Sequence, residues 1–451
     1  MAPTGLFESF LGAIQASLSV LLVISYGGIA AKLKLLNTDN TKAISKICVR
    51  MFLPALLLTK IGSELHAGSA ARYGIILLWA VATHIASFLI GIFAHYVLKM
   101  PEWTTVAVMF NNTTSYPLLL IQALSETGIL QSLIVTDEST KDAIERAKSY
   151  FLVYATVSSC LTFAVGPRLI DSEHAPEADE EDDKDHQEEP AGTDGAADER
   201  DAEAANEQTG LLGTRGSVQF HDPFGMNSFF PSIGKPSDLV PGDRRASIVP
   251  KSRWNRLSPR TRWWLLFVSD FFNAPLLGAI LGAVIGLTPA LHRAFFADSR
   301  DGGIFTAWLT SSLKNIGGLF VPLPVVVAGV ALFSSMRSER MDRSTIRKIP
   351  WATWSFILGV RFVMWPVASI ALIYAVASRT EFLGDDPMLW FTLMMMPTGP
   401  PAMKLVTLIQ VSGGSEEEEH NISRLLTLAY MMSPLLSLTV VGSLRAAQAS
   451  L

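Results

Sequence analysis

Only two cysteines occur among 451 residues, Cys48 and Cys160, both inside apolar runs. That leaves no material for a disulfide framework or a Cys/His metal site. No nucleophile–base pair or metal constellation is recognisable either, so neither an enzyme nor a cofactor or metal is expected. Charged residues make up 17% of the chain, and much of the net charge of −5 comes from one central stretch. No nucleic-acid partner is expected. The first residues lack a basic n-region and a cleavage site, and the first apolar run continues well past signal-peptide length, so it reads as a retained helix.

What the chain has instead is apolar length. Hydrophobic residues reach 49% and mean hydropathy is +0.33, although residues 172–262 are strongly polar. Apolar runs near twenty residues recur, the length that crosses about 30 Å of hydrocarbon at about 1.5 Å per residue. Ten spans fit: 6–31, 42–62, 71–98, 104–124, 148–170, 263–287, 305–333, 351–377, 388–411 and 421–444. The expected class is an all-α integral membrane protein, with the lipid bilayer as its first partner.

Charge bias sets an expected orientation. With the N-terminus non-cytosolic, the cytosolic loops carry Lys32, Lys34, Lys42, Lys99, Arg337, Arg340, Arg343, Arg347 and Lys348. The ends of the central stretch add Arg168, Lys251, Arg253, Arg256, Arg260 and Arg262. The opposite side carries fewer: Arg72, Lys141, Arg146, Lys148, Arg293, Arg300 and Arg379. Both termini are therefore expected on the non-cytosolic side.

The chain also repeats itself weakly. SKICVRMFLPALLL at 45–58 aligns with LKNIGGLFVPLPVV at 313–326, matching Lys46 with Lys314, Phe52 with Phe320 and Pro54 with Pro322. Pro117 falls on Pro401 at a similar shift. Five spans per half is an odd number, so the second half would insert upside down relative to the first, giving an inverted repeat. Three segments follow: a membrane repeat over 1–171, a central linker over 172–262, and a second membrane repeat over 263–451. The linker holds PEADEEDDKDHQEEP and then Gly-, Pro-, Ser- and Arg-rich sequence. It cannot bury enough apolar surface to offset its ordering entropy, so disorder on the cytosolic side is expected. Within it, RRAS places Ser247 after two arginines, a candidate phosphosite or a basic patch near anionic headgroups.

Two spans are interrupted. VMFNNTTSYPLLLIQAL at 108–124 and TLMMMPTGPPAMKLVTLIQ at 392–410 each set polar residues and proline inside a membrane-length apolar stretch. Proline removes a backbone donor and opens the helix. Hydrocarbon tolerates opened backbone only where it is buried in protein or lines a wet cavity. Paired breaks in corresponding halves point to a transporter's substrate site.

NNTTSYPLLLIQAL resembles the fourth-helix motif of the auxin efflux carrier superfamily, G-N-x-G-N-L-P-L, and PTGPPAMKL is similar to its ninth-helix proline motif. FLPALLLTKIG, FNAPLLGAILGAVIG and RFVMWPVASI also fit the pattern, so both membrane blocks are covered. The likeness is greatest to the PIN-like (PILS) proteins and their fungal relatives. Asn112 and Pro117 agree with the motif, while Asn111 and Thr114 stand at its glycines and Ser115 at its second asparagine. The resemblance implies ten helices in two inverted five-helix repeats, as in bile-acid symporter- and antiporter-like carriers. Broken helices 4 and 9 would cross at the midplane, and an elevator-type motion would proceed without a sodium site. It also implies a small organic anion such as indole-3-acetic acid as substrate, the endoplasmic reticulum rather than the plasma membrane, and a homodimer.

The candidate substrate-binding residues are Asn111, Asn112, Thr113, Thr114, Ser115 and Pro117 on the first break, and Thr398, Pro400, Pro401 and Lys404 on the second. Half-helices starting at Pro117 and Pro401 would present unpaired N–H groups and partial positive charge to an anion. The competing use of these polar groups is to satisfy the opened backbone. His84 and Asp270 are candidates for proton coupling, and Asp270 with Arg361 for a charge pair. The alternative function is a membrane receptor or sensor that binds a small carboxylate and signals through the linker.

Overall fold

The computed structural model describes residues 6–134, 138–166, 169, 261, 264–265, 268, 271–341, 350–405 and 416–450. Ser247, Asp270 and all but one residue of the expected linker lie outside these. The described residues form helices and no strand, apart from a single isolated β-bridge.

In the first half the helices are α1 (Leu6–Lys32), α2 (Thr38–Ile47), α3 (Leu53–Glu64), α4 (Ala70–Tyr96), α5 (Trp103–Met109), α6 (Ser115–Glu126) and α7 (Thr140–Ala164). In the second they are α8 (Ala274–Leu287), α9 (Pro289–Phe296), α10 (Ser311–Gly318), α11 (Leu323–Met341), α12 (Trp351–Gly359), α13 (Trp365–Arg379), α14 (Pro387–Met395), α15 (Glu416–Met431) and α16 (Leu436–Ala449). Among the described residues, four helical stretches are long and apolar enough to cross a membrane: Phe7–Lys32, Ala70–Tyr96, Thr306–Ser334 and Trp351–Arg379. Two bent pairs bring the number to six, α8 with α9 at 104° and Asn421–Met431 with Ser433–Ala449 at 44°. Leu22, Leu78, Leu89, Val363 and Val367 lie half or more exposed. Hydrocarbon around them would remove the cost of that exposure.

Helix ends follow from short polar residues. Asn37, Ser139, Asn273 and Asp386 accept backbone N–H bonds at the starts of α2, α7, α8 and α14, satisfying donors that the first turn leaves open. Two prolines widen the helix before them. Cys48–Phe52, just ahead of Pro54, and Val360–Met364, just ahead of Pro366, are π-turns. Leu53 N–H reaches back five residues to Cys48 O, and Trp365 N–H to Val360 O. The proline ring would clash with the carbonyl four residues earlier, and the wider turn accommodates it. The EEEE run at 416–419 forms the first turn of α15.

Two helix pairs make the closest backbone approaches. α1 packs on α11 through Gly27 and Gly329, where a Cβ at either position would overlap a carbonyl of the other helix. α3 packs on α8, and a Cβ at Gly278 would lie 2.6 Å from Pro54 Cα. A second group is tied by polar contacts. Trp79 Nε1 of α4 donates to Leu393 O of α14 at 3.0 Å, and Thr83 of α4 meets the Tyr154 hydroxyl of α7 at 2.9 Å. At one end of this group Arg72, Arg146 and Tyr150 all converge on Asp386. Ser369 of α13 joins this group through Met394 O at 2.7 Å.

Candidate functional site

The two interrupted stretches meet. Asn111 and Pro401 face each other across the antiparallel bridge. The bridge is closed by Asn112 N–H to Pro400 O at 3.0 Å and Ala402 N–H to Phe110 O at 2.9 Å. Those bonds flank the facing pair, which makes it the non-hydrogen-bonded kind of an antiparallel ladder. Pro401 loses nothing by lacking an N–H there. Gly399, at φ +100°, turns the chain into the bridge, a conformation that costs any residue with a Cβ.

Side chains then absorb the carbonyls that the breaks release. Asn111 Nδ2 donates to Met396 O at 3.0 Å and to Thr398 O at 2.7 Å. Asn112 Nδ2 donates to the Tyr430 hydroxyl at 2.8 Å, and that hydroxyl donates to Pro401 O at 3.3 Å. Arg361 reaches Ala107 O at 3.4 and 3.5 Å and Pro397 O at 3.2 Å. Backbone at both breaks is thus largely paired, as buried polar groups must be. The donor side differs. Thr114 precedes α6 without a side-chain cap bond, so the opening N–H groups of that helix keep their partial positive charge.

The sequence candidates fall into three groups. Asn111, Asn112, Thr398, Pro400 and Pro401 are assembled in or against the bridge. Thr113 and Ser115 are buried beside it, with Ser115 Oγ 3.5 Å from Phe320 O. Pro117 lies in the first turn of α6. Pro401 does not start a half-helix as expected. It lies in the bridge, and helical geometry resumes at Lys404, so Lys404 opens the following helix rather than lying a turn inside it. Proline and the extended bridge residues hold the chain out of helix until that point.

His84 stands apart on α4. Its Nδ1 lies 2.7 Å from Ala80 O, and because a carbonyl only accepts, Nδ1 carries the proton. Its ring packs against Phe110 and Tyr154 at centroid distances of 6.1 and 5.5 Å. Nε2 is buried without a protein partner among the described residues. His84 and Met109 belong to the wall of a cavity of about 630 Å³ that is also lined by residues of α3, α7 and α8. On the other side of the crossing, Pro117, Thr398 and Gly399 border a void of about 10 Å³, the scale of one water molecule.

Sequence reasoning left Tyr430 out of the site, since one tyrosine in an apolar helix carries no distinguishing signal. Arg361 did carry one, a full charge inside the run ILGVRFVMWP, but its partners are backbone carbonyls, which have no signature in sequence.

The comparisons with known proteins agree with this architecture. A family model described as membrane transport protein matches residues 13–440. An uncharacterized transporter of Schizosaccharomyces pombe is 22% identical over 418 residues, 90% of this chain and 89% of that protein. Protein PIN-LIKES 7 of Arabidopsis thaliana is 25% identical over 151 residues, 34% of this chain and 35% of its own length. Protein PIN-LIKES 5 of the same plant is 26% identical over 173 residues, 38% of this chain and 39% of its own length. The chain thus spans little more than a third of each of these two plant proteins.

Proposed function

The chain belongs to the membrane transport protein family, the auxin efflux carriers, and on that premise we propose that it is a secondary carrier of a small amphipathic organic anion of the auxin type. The observation that carries this reading is the bridge between Asn111 and Pro401. It brings together two helix breaks whose carbonyls are taken by protein donors, while the start of α6 keeps uncapped N–H groups. Such a surface favours an anion over a cation. Asn112, Thr113, Thr114, Ser115 and Pro117 are the contacts we assign to the first break, and Thr398, Pro400, Pro401 and Lys404 those to the second. Asn111 is the exception: both hydrogens of its amide serve Met396 O and Thr398 O, so it shapes the site rather than touching the substrate.

We read the fold as two inverted repeats working by an elevator-type motion. Exchanging the two halves would turn the α1–α11 pair into the α8–α3 pair, the pattern that inverted repeats generate. These two close-packed pairs supply a frame. The polar contacts among α4, α7, α13 and α14 supply a block that moves as one. Part of the boundary between them is the apolar cavity lined by Ile61 and Ala279 on one side and Val81 and Val153 on the other. An internal membrane, the endoplasmic reticulum, is the assigned location.

Uptake into proteoliposomes tests the reading. Purified protein should accumulate a labelled indole or aryl carboxylate, and Pro117→Ala or Thr398→Val should reduce the rate. Folded wild-type protein that moves no member of a broad carboxylate panel would sink it.

A further inference from the structure

Arg361 is 1% exposed, and its partners are carbonyl oxygens of the two interrupted stretches, Ala107 O and Pro397 O. Ala107 belongs to the last turn of α5, and Pro397 lies just past the end of α14. These are the points where the two helices stop at the crossing, and each such end carries partial negative charge. A guanidinium in that position faces both at once. Among the described residues none of its hydrogen-bond partners is a carboxylate. Its contacts of 3.2 to 3.5 Å are longer than the usual 2.9 Å, which suits a charge held between two dipole ends better than one directed bond. A buried charge is normally offset by a paired opposite charge; here two helix ends take that part.

We propose that Arg361 is a positioning residue that acts as a tethered cation. Its charge neutralises the carboxyl ends of α5 and α14 together and holds the two breaks in register with each other. The π-turn at Val360–Met364 places it on a helix that belongs to neither break, so the crossing is clamped from a third element. The fork of five donors also explains the residue type, because it serves separate acceptors in one plane.

Charge and shape are separable by experiment. Thermal unfolding of the purified full-length protein in detergent, followed by tryptophan fluorescence, would compare wild type with Arg361→Lys, Arg361→Gln and Arg361→Ala. At a fixed temperature in the transition, Arg361→Gln should lower the folded-to-unfolded ratio by about tenfold or more, and Arg361→Lys by clearly less. Methylguanidinium should recover part of the loss in Arg361→Ala and none in wild type, while neutral N-methylurea recovers nothing. Should Arg361→Ala give no folded protein, the comparison of Lys with Gln decides alone. The proposal is overturned if Arg361→Gln unfolds with wild type, if Lys is as damaging as Gln, or if a folded Arg361→Ala responds equally to both small molecules or to neither. No substrate enters this measurement, so its failure and that of the carrier reading are distinct results.

Discussion

Asn112 of the first break and Tyr430 of α15 are joined at 2.8 Å, and through the same hydroxyl the contact continues to Pro401 O. One ring therefore ties the first break, the second break and a later helix. Tyr430→Phe keeps the ring and its edge contact with Tyr116, but leaves the Asn112 amide without that acceptor and Pro401 O without that donor. We expect a loss of about 1–3 kcal/mol in stability. A double-mutant cycle with Asn112→Ala should give a coupling of about 0.5 kcal/mol or more. Additive losses would show that the two residues act separately.

Asn111 is 2% exposed and donates to two carbonyls. Asn111→Ala should cost about 2–4 kcal/mol, because two buried acceptors lose their donor. Asn111→Asp should be worse, since a carboxylate cannot donate and would face two oxygens. Melting temperatures of the two variants check the order, and an aspartate variant as stable as wild type would refute the assigned geometry.

At Gly27 the backbone of α1 approaches α11 so closely that a Cβ would stand 2.0 Å from Val326 O. Gly27→Ala must push the two helices apart, and we expect at least about 2 kcal/mol of destabilisation. Gly74, on α4, has open space where a Cβ would stand. There the same substitution should be neutral or stabilise by up to about 1 kcal/mol, through helix propensity alone. The difference in melting between the two alanine variants is the readout.

Lys60 of α3 is paired with Glu145 of α7, and Glu145 also holds Lys148 at 3.1 Å. The pair is about a quarter exposed on both sides, so its worth is about 1 kcal/mol or less. It nevertheless joins the proposed frame to the proposed moving block, and 1 kcal/mol shifts a two-state population about fivefold. Glu145→Gln should therefore leave melting nearly unchanged while altering initial uptake by up to about fivefold. A large loss of stability with normal uptake would show that the pair is structural only.

The breaks themselves were legible, because Pro117, Pro400 and Pro401 interrupt otherwise continuous apolar runs and backbone chemistry forces the outcome. Membership of the family was legible for the same reason, since those interruptions carry its motifs. The division of labour inside the asparagine pair was not. Asn111 and Asn112 are adjacent and identical, and only the three-dimensional direction of each side chain gives one to carbonyls and the other to a hydroxyl. The expectation of a half-helix starting at Pro401 failed because proline suits both a helix start and the non-bonded position of an antiparallel bridge. Deciding between them requires knowing that Asn111 lies opposite. The convergence of Arg72, Arg146 and Tyr150 on Asp386 was equally hidden: it joins residues of α4 and α7 to the start of α14, and in sequence the two arginines read as ordinary boundary charges and Tyr150 as one more ring in an apolar helix.

The bridge also imposes an order on the making of the protein. Phe110 O and Asn112 N–H are completed by Ala402 and Pro400, which leave the ribosome roughly fifteen seconds to a minute after them at ordinary rates of synthesis. During that interval the first break waits in the bilayer with unmet polar groups, at a cost of several kcal/mol. The nascent first half is thus a natural client for whatever shelters polar backbone during insertion. A ribosome-stalled chain ending before Pro400 should be more readily cleaved near residue 112 than one extending beyond Ala402.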